Sequence, residues 1–156
     1  MFDKTKQMKV DSILFYGAQV KIPVEMKRFW RRGYSEKMGY TCHLDHVTLG
    51  HKSNMTVENL LQMYMNQGEV CEMTIDAVGL YILPEHRGEV IAFRVKDNMI
   101  TVDNYPMRGE NKVFHITAFT SGEARPKDAN LITEWVGLSE RRIKGIIRFW
   151  LKEEER

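Results

Sequence analysis

The sequence predicts one compact domain that mixes helices and strands, and three observations predict it. The chain has 156 residues, enough for a single core. Apolar residues form 43% and charged residues 28%, a globular balance that argues against extended disorder. Segments with a two-residue apolar period also alternate with segments of helical spacing, and no Pro/Gly-rich linker, repeat or internal charge block separates them.

Residues 1–9 read as a polar lead-in. Residues 12–20, SILFYGAQV, are rich in strand formers and read as the first strand. Residues 22–32 follow as a helix with Pro23 in its first turn and Val24, Phe29 and Trp30 on its buried side. Residues 41–51, TCHLDHVTLGH, alternate around Leu44, Val47 and Leu49 and read as a strand. Asn54 or Thr56 caps the next helix, whose apolar stripe is Val57, Leu60, Leu61 and Tyr64. Three strand segments come next, at 70–83, 89–96 and 99–102, with turn chemistry at 84–88 and at Asp97-Asn98. Residues 112–120, KVFHITAFT, read as a further strand. A polar connection, SGEARP, leads to a short helix over 128–136 with Leu131, Ile132 and Trp135 buried. In the tail, Gly145 and the run IIRFWL favour a closing strand over a helix.

Composition excludes several classes. The net charge of +2 is too small for bulk nucleic-acid binding, although it leaves room for a local basic cleft. Cys42 and Cys71 cannot form a disulfide framework and fit no zinc spacing, so they read as reduced packing thiols of a cytoplasmic protein. No apolar run approaches the ~20 residues of a membrane span, and the N-terminal stretch lacks the apolar core of a signal peptide.

Two tetrapeptides carry the chemistry: His46-Val47-Thr48-Leu49 and His115-Ile116-Thr117-Ala118. In a strand, alternation sends each His and its Thr to one face, and Val47 and Ile116 to the other. Two such strands side by side place two imidazoles and two hydroxyls around one cleft. One imidazole can take a proton from water and the other can give one to a leaving ribose oxygen, since an ordinary His pKa near ~6.5 allows both states. The hydroxyls can hold the non-bridging oxygens. The scheme needs no metal and no cofactor. His43, His46 and His51 do not form a metal set, because the strand splays His43 to the face opposite His46 and the helical H-E-x-x-H pairing is absent.

On these motifs the chain resembles the 2H phosphoesterase superfamily, named for two H-x-[ST] motifs. It looks most like the cyclic phosphodiesterase domain of fungal-type tRNA ligases, on ILFYGAQV, HVTLGHK and FHITAFTSGEARPKDANLI. The resemblance implies a bilobed α+β fold, with two antiparallel sheets flanked by helices and the active site in the central cleft. It implies hydrolysis of 2′,3′-cyclic phosphate ends of RNA or nucleotides to a monophosphate, with His46, Thr48, His115 and Thr117 catalytic. Two alternatives stand beside that: cleavage of cyclic oligonucleotide signals, as by phage anti-CBASS nucleases, and an RNA-end-binding module without turnover. Tyr16, Lys52 and Arg125 are expected to touch substrate, Tyr16 by stacking and the two cations through phosphate.

Overall fold

The computed structural model describes residues 12–23, 27–28, 30, 38–51 and 54–151. The expected helix side chains Val24 and Phe29, and the expected phosphate contact Lys52, lie outside the described residues.

Eight strands are present among them: β1 (Ile13–Lys21), β2 (Tyr40–Cys42), β3 (His46–His51), β4 (Val70–Ile82), β5 (Gly88–Val102), β6 (Tyr105–Pro106), β7 (His115–Gly122) and β8 (Trp135–Leu151). One helix, α1 (Val57–Met65), joins β3 to β4, and 3-10 turns lie at Pro84–His86 and Pro126–Leu131. The sheet order is β2-β7-β3-β1-β8-β4-β5-β6, and β7 also pairs with β5. That last pairing closes β7, β3, β1, β8, β4 and β5 into a six-stranded antiparallel barrel.

The barrel corrects the expected fold class. The chain is mostly β, not a bilobed α+β protein with two flanked sheets. The physical cause lies in the long strands. β5 pairs with β4 along one edge and with β7 along the other, so no seam separates two lobes. Register shifts at Tyr16/Gly17, Ile75/Ala77 and Ile91/Ala92 bend the strands enough for closure. Closure also removes the open edges that separate sheets would have to protect.

Alternation sorts each strand into an inner and an outer face. Tyr16, Ala18, Val47, Phe93, Ile116, Ile147 and Phe149 fill the interior and are almost wholly buried. A smaller outer cluster of Val90, Ala92, Ala129 and Ile132 seats the Pro126–Leu131 turn on the outside of the barrel, where a longer helix was expected. Trp135, expected at the end of that helix, begins β8 instead. The closing strand expected from IIRFWL is the body of β8.

Other local expectations shift by a residue or two. Thr56 is the cap of α1, its hydroxyl accepting from the Asn59 amide at 3.3 Å. The buried side of α1 is Met63 with Leu60 and Tyr64 half-buried, while Val57 and Leu61 of the expected stripe are exposed. Asp97-Asn98 does not divide two strands. Both residues adopt positive φ, which Asp and Asn tolerate, and residues 96–99 bulge out within β5.

Candidate active site

The two motif strands lie side by side. β3 and β7 are antiparallel, with Val47 opposite Ile116, and both of those side chains are fully buried in the barrel. By the same register His46 stands beside Thr117 and Thr48 beside His115, all four on the outer face. His46, Thr48 and Thr117 are half-buried and His115 is 8% exposed. The two histidines are close enough for the charge of His46 to depress the His115 pKa.

The strand pair is held at its Thr48–His115 end. The Asn111 side-chain amide donates to the Thr48 carbonyl at 2.7 Å, tying β3 to the approach of β7. Asn98, at the bulge, donates to the Lys112 carbonyl at 2.7 Å and accepts from the Phe114 amide at 2.8 Å. Those bonds fix the segment that places the Val113 carbonyl 2.9 Å from His115 Nδ1. On the other side of β3, Gly17 of β1 faces Thr48, and a Cβ there would collide with the Val47 carbonyl.

The two imidazoles sit in different surroundings. The His115 Nδ1 must carry a hydrogen to bond the Val113 carbonyl, so its Nε2 is the bare nitrogen when the ring is neutral. Burial lowers the His115 pKa, against a raising effect of the Val113 bond, and the His46 charge lowers it further. His46 has a 30% exposed side chain and its Nδ1 is 3.4 Å from the Asp45 carboxylate. Burial lowers its pKa too, while Asp45 opposes that shift. Its ring stacks on Phe15 at 5.0 Å and tilts against Trp150 at 5.1 Å. The Thr117 hydroxyl donates to the Pro126 carbonyl at 3.3 Å.

The remaining expected residues divide. Tyr16 does not reach the site. It points into the barrel, is fully buried, and its hydroxyl donates to Glu110 at 2.8 Å. Burial and that carboxylate both push its pKa up. Its neighbour Phe15, one residue out of phase, is the aromatic on the outer face. Arg125 is exposed and immediately precedes Pro126, so it flanks Thr117.

His43 corrects another expectation. Its Nε2 lies 2.9 Å from the Thr120 hydroxyl, which belongs to the outer side of β7 opposite Val90. It therefore shares a face with His46, because Leu44 takes a positive φ and breaks the alternation between them. Burial lowers its pKa, the His46 charge adds to this, and Asp45 works against it. Among the described residues no three His, Cys, Asp or Glu side chains gather into a metal-binding set.

Sequence reading missed several neighbours of the motifs. Arg148 is opposite Gly17, donates to Gln19 at 3.1 Å and lies 5.3 Å from the Trp150 ring. Arg94 is opposite His115, holds Asp76 through two bonds of 3.0 and 3.2 Å, and lies 6.0 Å from the Trp135 ring. A cleft of about 310 Å³ opens beside His115, lined among others by Asn111, Asn130 and Trp135. Phe15, Arg148 and Trp150 were readable as strand alternation once β1 and β8 were known to be adjacent; nothing local marks Arg94. A separate groove of about 300 Å³ across β4, β5 and β8 holds none of the motif residues, and its Lys96 is paired with Glu140.

No family model matches the chain, no curated protein matches it, and no solved structure matches it. No helix among the described residues is long and apolar enough to cross a membrane.

Proposed function

We propose that the chain is a phosphodiesterase of the two-histidine type, working inside a cell on a nucleotide phosphodiester. The observation that supports this most is the Val47–Ile116 register, which leaves both His and both Thr on one outer face. The reading takes the 2′,3′-cyclic phosphate end of an RNA or nucleotide as substrate. It also agrees with the resemblance of the motifs to 2H phosphoesterases.

The surroundings of the two rings support a division of roles. His115 is the general base. Its Nδ1 is committed to the Val113 carbonyl, and its lowered pKa keeps Nε2 free to accept near neutral pH. His46 is the general acid. Burial lowers its pKa overall, Asp45 works against that shift, and a bound phosphate would favour the charged form further. Water attacks phosphorus as His115 Nε2 takes its proton. The bond from phosphorus to the ribose oxygen breaks as His46 gives that oxygen a proton. The products are a phosphomonoester and a free hydroxyl, and exchange with solvent restores both rings. Thr48 and Thr117 stabilise the charge on the non-bridging oxygens. No metal is needed to generate the nucleophile in this scheme.

A second reading, cleavage of a cyclic oligonucleotide signal, is favoured by one observation. Aromatic and basic side chains stand on both sides of the four-residue set, with Phe15, Arg148 and Trp150 beyond His46 and with Arg94 and Trp135 beyond His115. Turnover assays in excess chelator test the shared chemistry. Hydrolysis of a 2′,3′-cyclic nucleotide or a cyclic dinucleotide is expected. Activity that appears only on adding a divalent ion would refute the metal-independent scheme.

A further inference from the structure

Between β6 and β7 the chain runs through residues 107–114, a strap with no strand or helix of its own. Its last turn delivers the Val113 carbonyl to His115 Nδ1. Without a backbone ladder, that carbonyl stays in place only if other bonds hold the strap.

Side chains supply those bonds. At the start of the strap, Gln62 of α1 donates to the Pro106 carbonyl at 3.1 Å and accepts from the Arg108 amide at 2.8 Å. In the middle stands Glu110, whose amide donates to the Leu49 carbonyl at 2.8 Å. Its carboxylate accepts four bonds. The Tyr16 hydroxyl of β1 donates to Oε2 at 2.8 Å. The Thr56 amide, the Thr56 hydroxyl and the Asn59 side-chain amide donate to Oε1 at 3.0, 3.2 and 2.9 Å. One side chain thus ties the strap both to the barrel interior and to the first turn of α1.

Two glycines make room for this approach. Gly50 is opposite Tyr16, and a Cβ there would collide with the Tyr16 hydroxyl and the Glu110 carboxylate. A Cβ at Gly109 would collide with the Leu49 carbonyl. A carboxylate has about four acceptor sites, so four bonds commit Glu110 fully. It lines the cleft beside His115 but has no free lone pair for proton transfer there.

We propose that Glu110 is a positioning residue for His115: it latches the strap to α1 and β1, and the latched strap holds the Val113 carbonyl that fixes the His115 tautomer. The catalytic consequence rests on the phosphodiesterase reading, in which His115 needs a bare Nε2. The tautomer itself does not.

The test reads both in wild type, Glu110→Ala and Glu110→Gln. Nitrogen-15 spectra of the imidazoles at about pH 8, where the ring is neutral, report the tautomer, with His115 assigned by its absence in His115→Asn. Turnover of 2′,3′-cyclic AMP reports catalysis. Wild type is expected to show His115 with its hydrogen on Nδ1 alone. In Glu110→Ala the Nε2–H form should appear beside it. There kcat should fall between ~10- and ~100-fold, the scale of a small misplacement of a catalytic group, with KM changed less. Glu110→Gln should restore both, because its carbonyl accepts from Thr56 and Asn59 and its amide donates to the Tyr16 hydroxyl. An unchanged tautomer in Glu110→Ala would overturn the proposal, whatever happened to kcat or to the unfolding midpoint. So would a Glu110→Gln variant no better than Glu110→Ala. A changed tautomer with unchanged kcat supports the latch and counts against His115 as the base. If wild type turns nothing over, the phosphodiesterase reading fails and the tautomer alone decides the latch. Should Glu110→Ala not fold, the double variant Tyr16→Phe/Asn59→Ala removes one bond from each arm. It should shift the tautomer in the same direction, and no shift would overturn the latch.

Discussion

The two H-x-T motifs are alike in sequence and unlike in surroundings. His115 is nearly buried, its Nδ1 fixed by a backbone carbonyl. His46 is more open, backed by the Asp45 carboxylate and stacked among Phe15 and Trp150. The carbonyl fixes a tautomer and the carboxylate favours a charge, while burial lowers both pKa values. On the proposed chemistry, neighbours outside the motif divide two opposite proton-transfer roles between two copies of one motif.

The largest effect expected is on turnover. His46→Ala and His115→Ala should each lower kcat by at least ~10²-fold, the lower end of what a positioned acid or base contributes. Circular dichroism should show the barrel intact in both. Near-full activity in either variant would remove that residue from the comparison.

The inner side of the same strands should respond in stability instead. Ile116→Ala removes a fully buried side chain and is expected to cost ~2–5 kcal/mol in denaturant unfolding. Thr117→Ala, one residue away on the outer face, should leave the unfolding midpoint nearly unchanged while lowering kcat. A reversal of the two would mean that the register is wrong.

Tyr16→Phe tests the correction at the first strand. Loss of the hydroxyl bond to Glu110 should cost ~1 kcal/mol of stability. The KM should stay as in wild type, whereas a raised KM would return Tyr16 to the substrate.

Acid sensitivity gives a smaller signal. The pKa values of His43, His46 and His115 are all lowered in the folded chain. The unfolded chain therefore takes up more protons just below the ordinary His value. Stability should fall as pH drops through that window from ~6.5 downward. His115→Asn should flatten the slope measured between neutral and mildly acidic pH, and an unchanged slope would place the titration elsewhere.

Much of the site was legible because it depends only on a two-residue period. That period put His46, Thr48, His115 and Thr117 on one face and Val47 and Ile116 on the other. The same rule failed at His43, where a positive φ at Leu44 resets alternation without a glycine to signal it. It also gives no absolute phase, so the aromatic beside the motif was expected at Tyr16 and stands at Phe15, stacked on His46. Barrel closure was out of reach because the β5–β7 pairing depends on curvature summed over several register shifts, which no single segment encodes. Arg94 enters the site only through that pairing.

The central claim, that His46 is the acid and His115 the base, is tested most directly by changing the leaving group. A p-nitrophenyl phosphodiester of a nucleotide departs without needing a proton, so it bypasses a general acid but still requires a base. Rates for wild type, His46→Ala and His115→Ala should be compared on this ester and on a substrate with a ribose leaving oxygen. The account predicts that the ~10²-fold or greater defect of His46→Ala on the ribose substrate largely disappears on the ester, while His115→Ala stays impaired on both. Rescue of His115→Ala instead would exchange the two roles, and equal defects on both substrates would contradict a division of acid and base between the motifs.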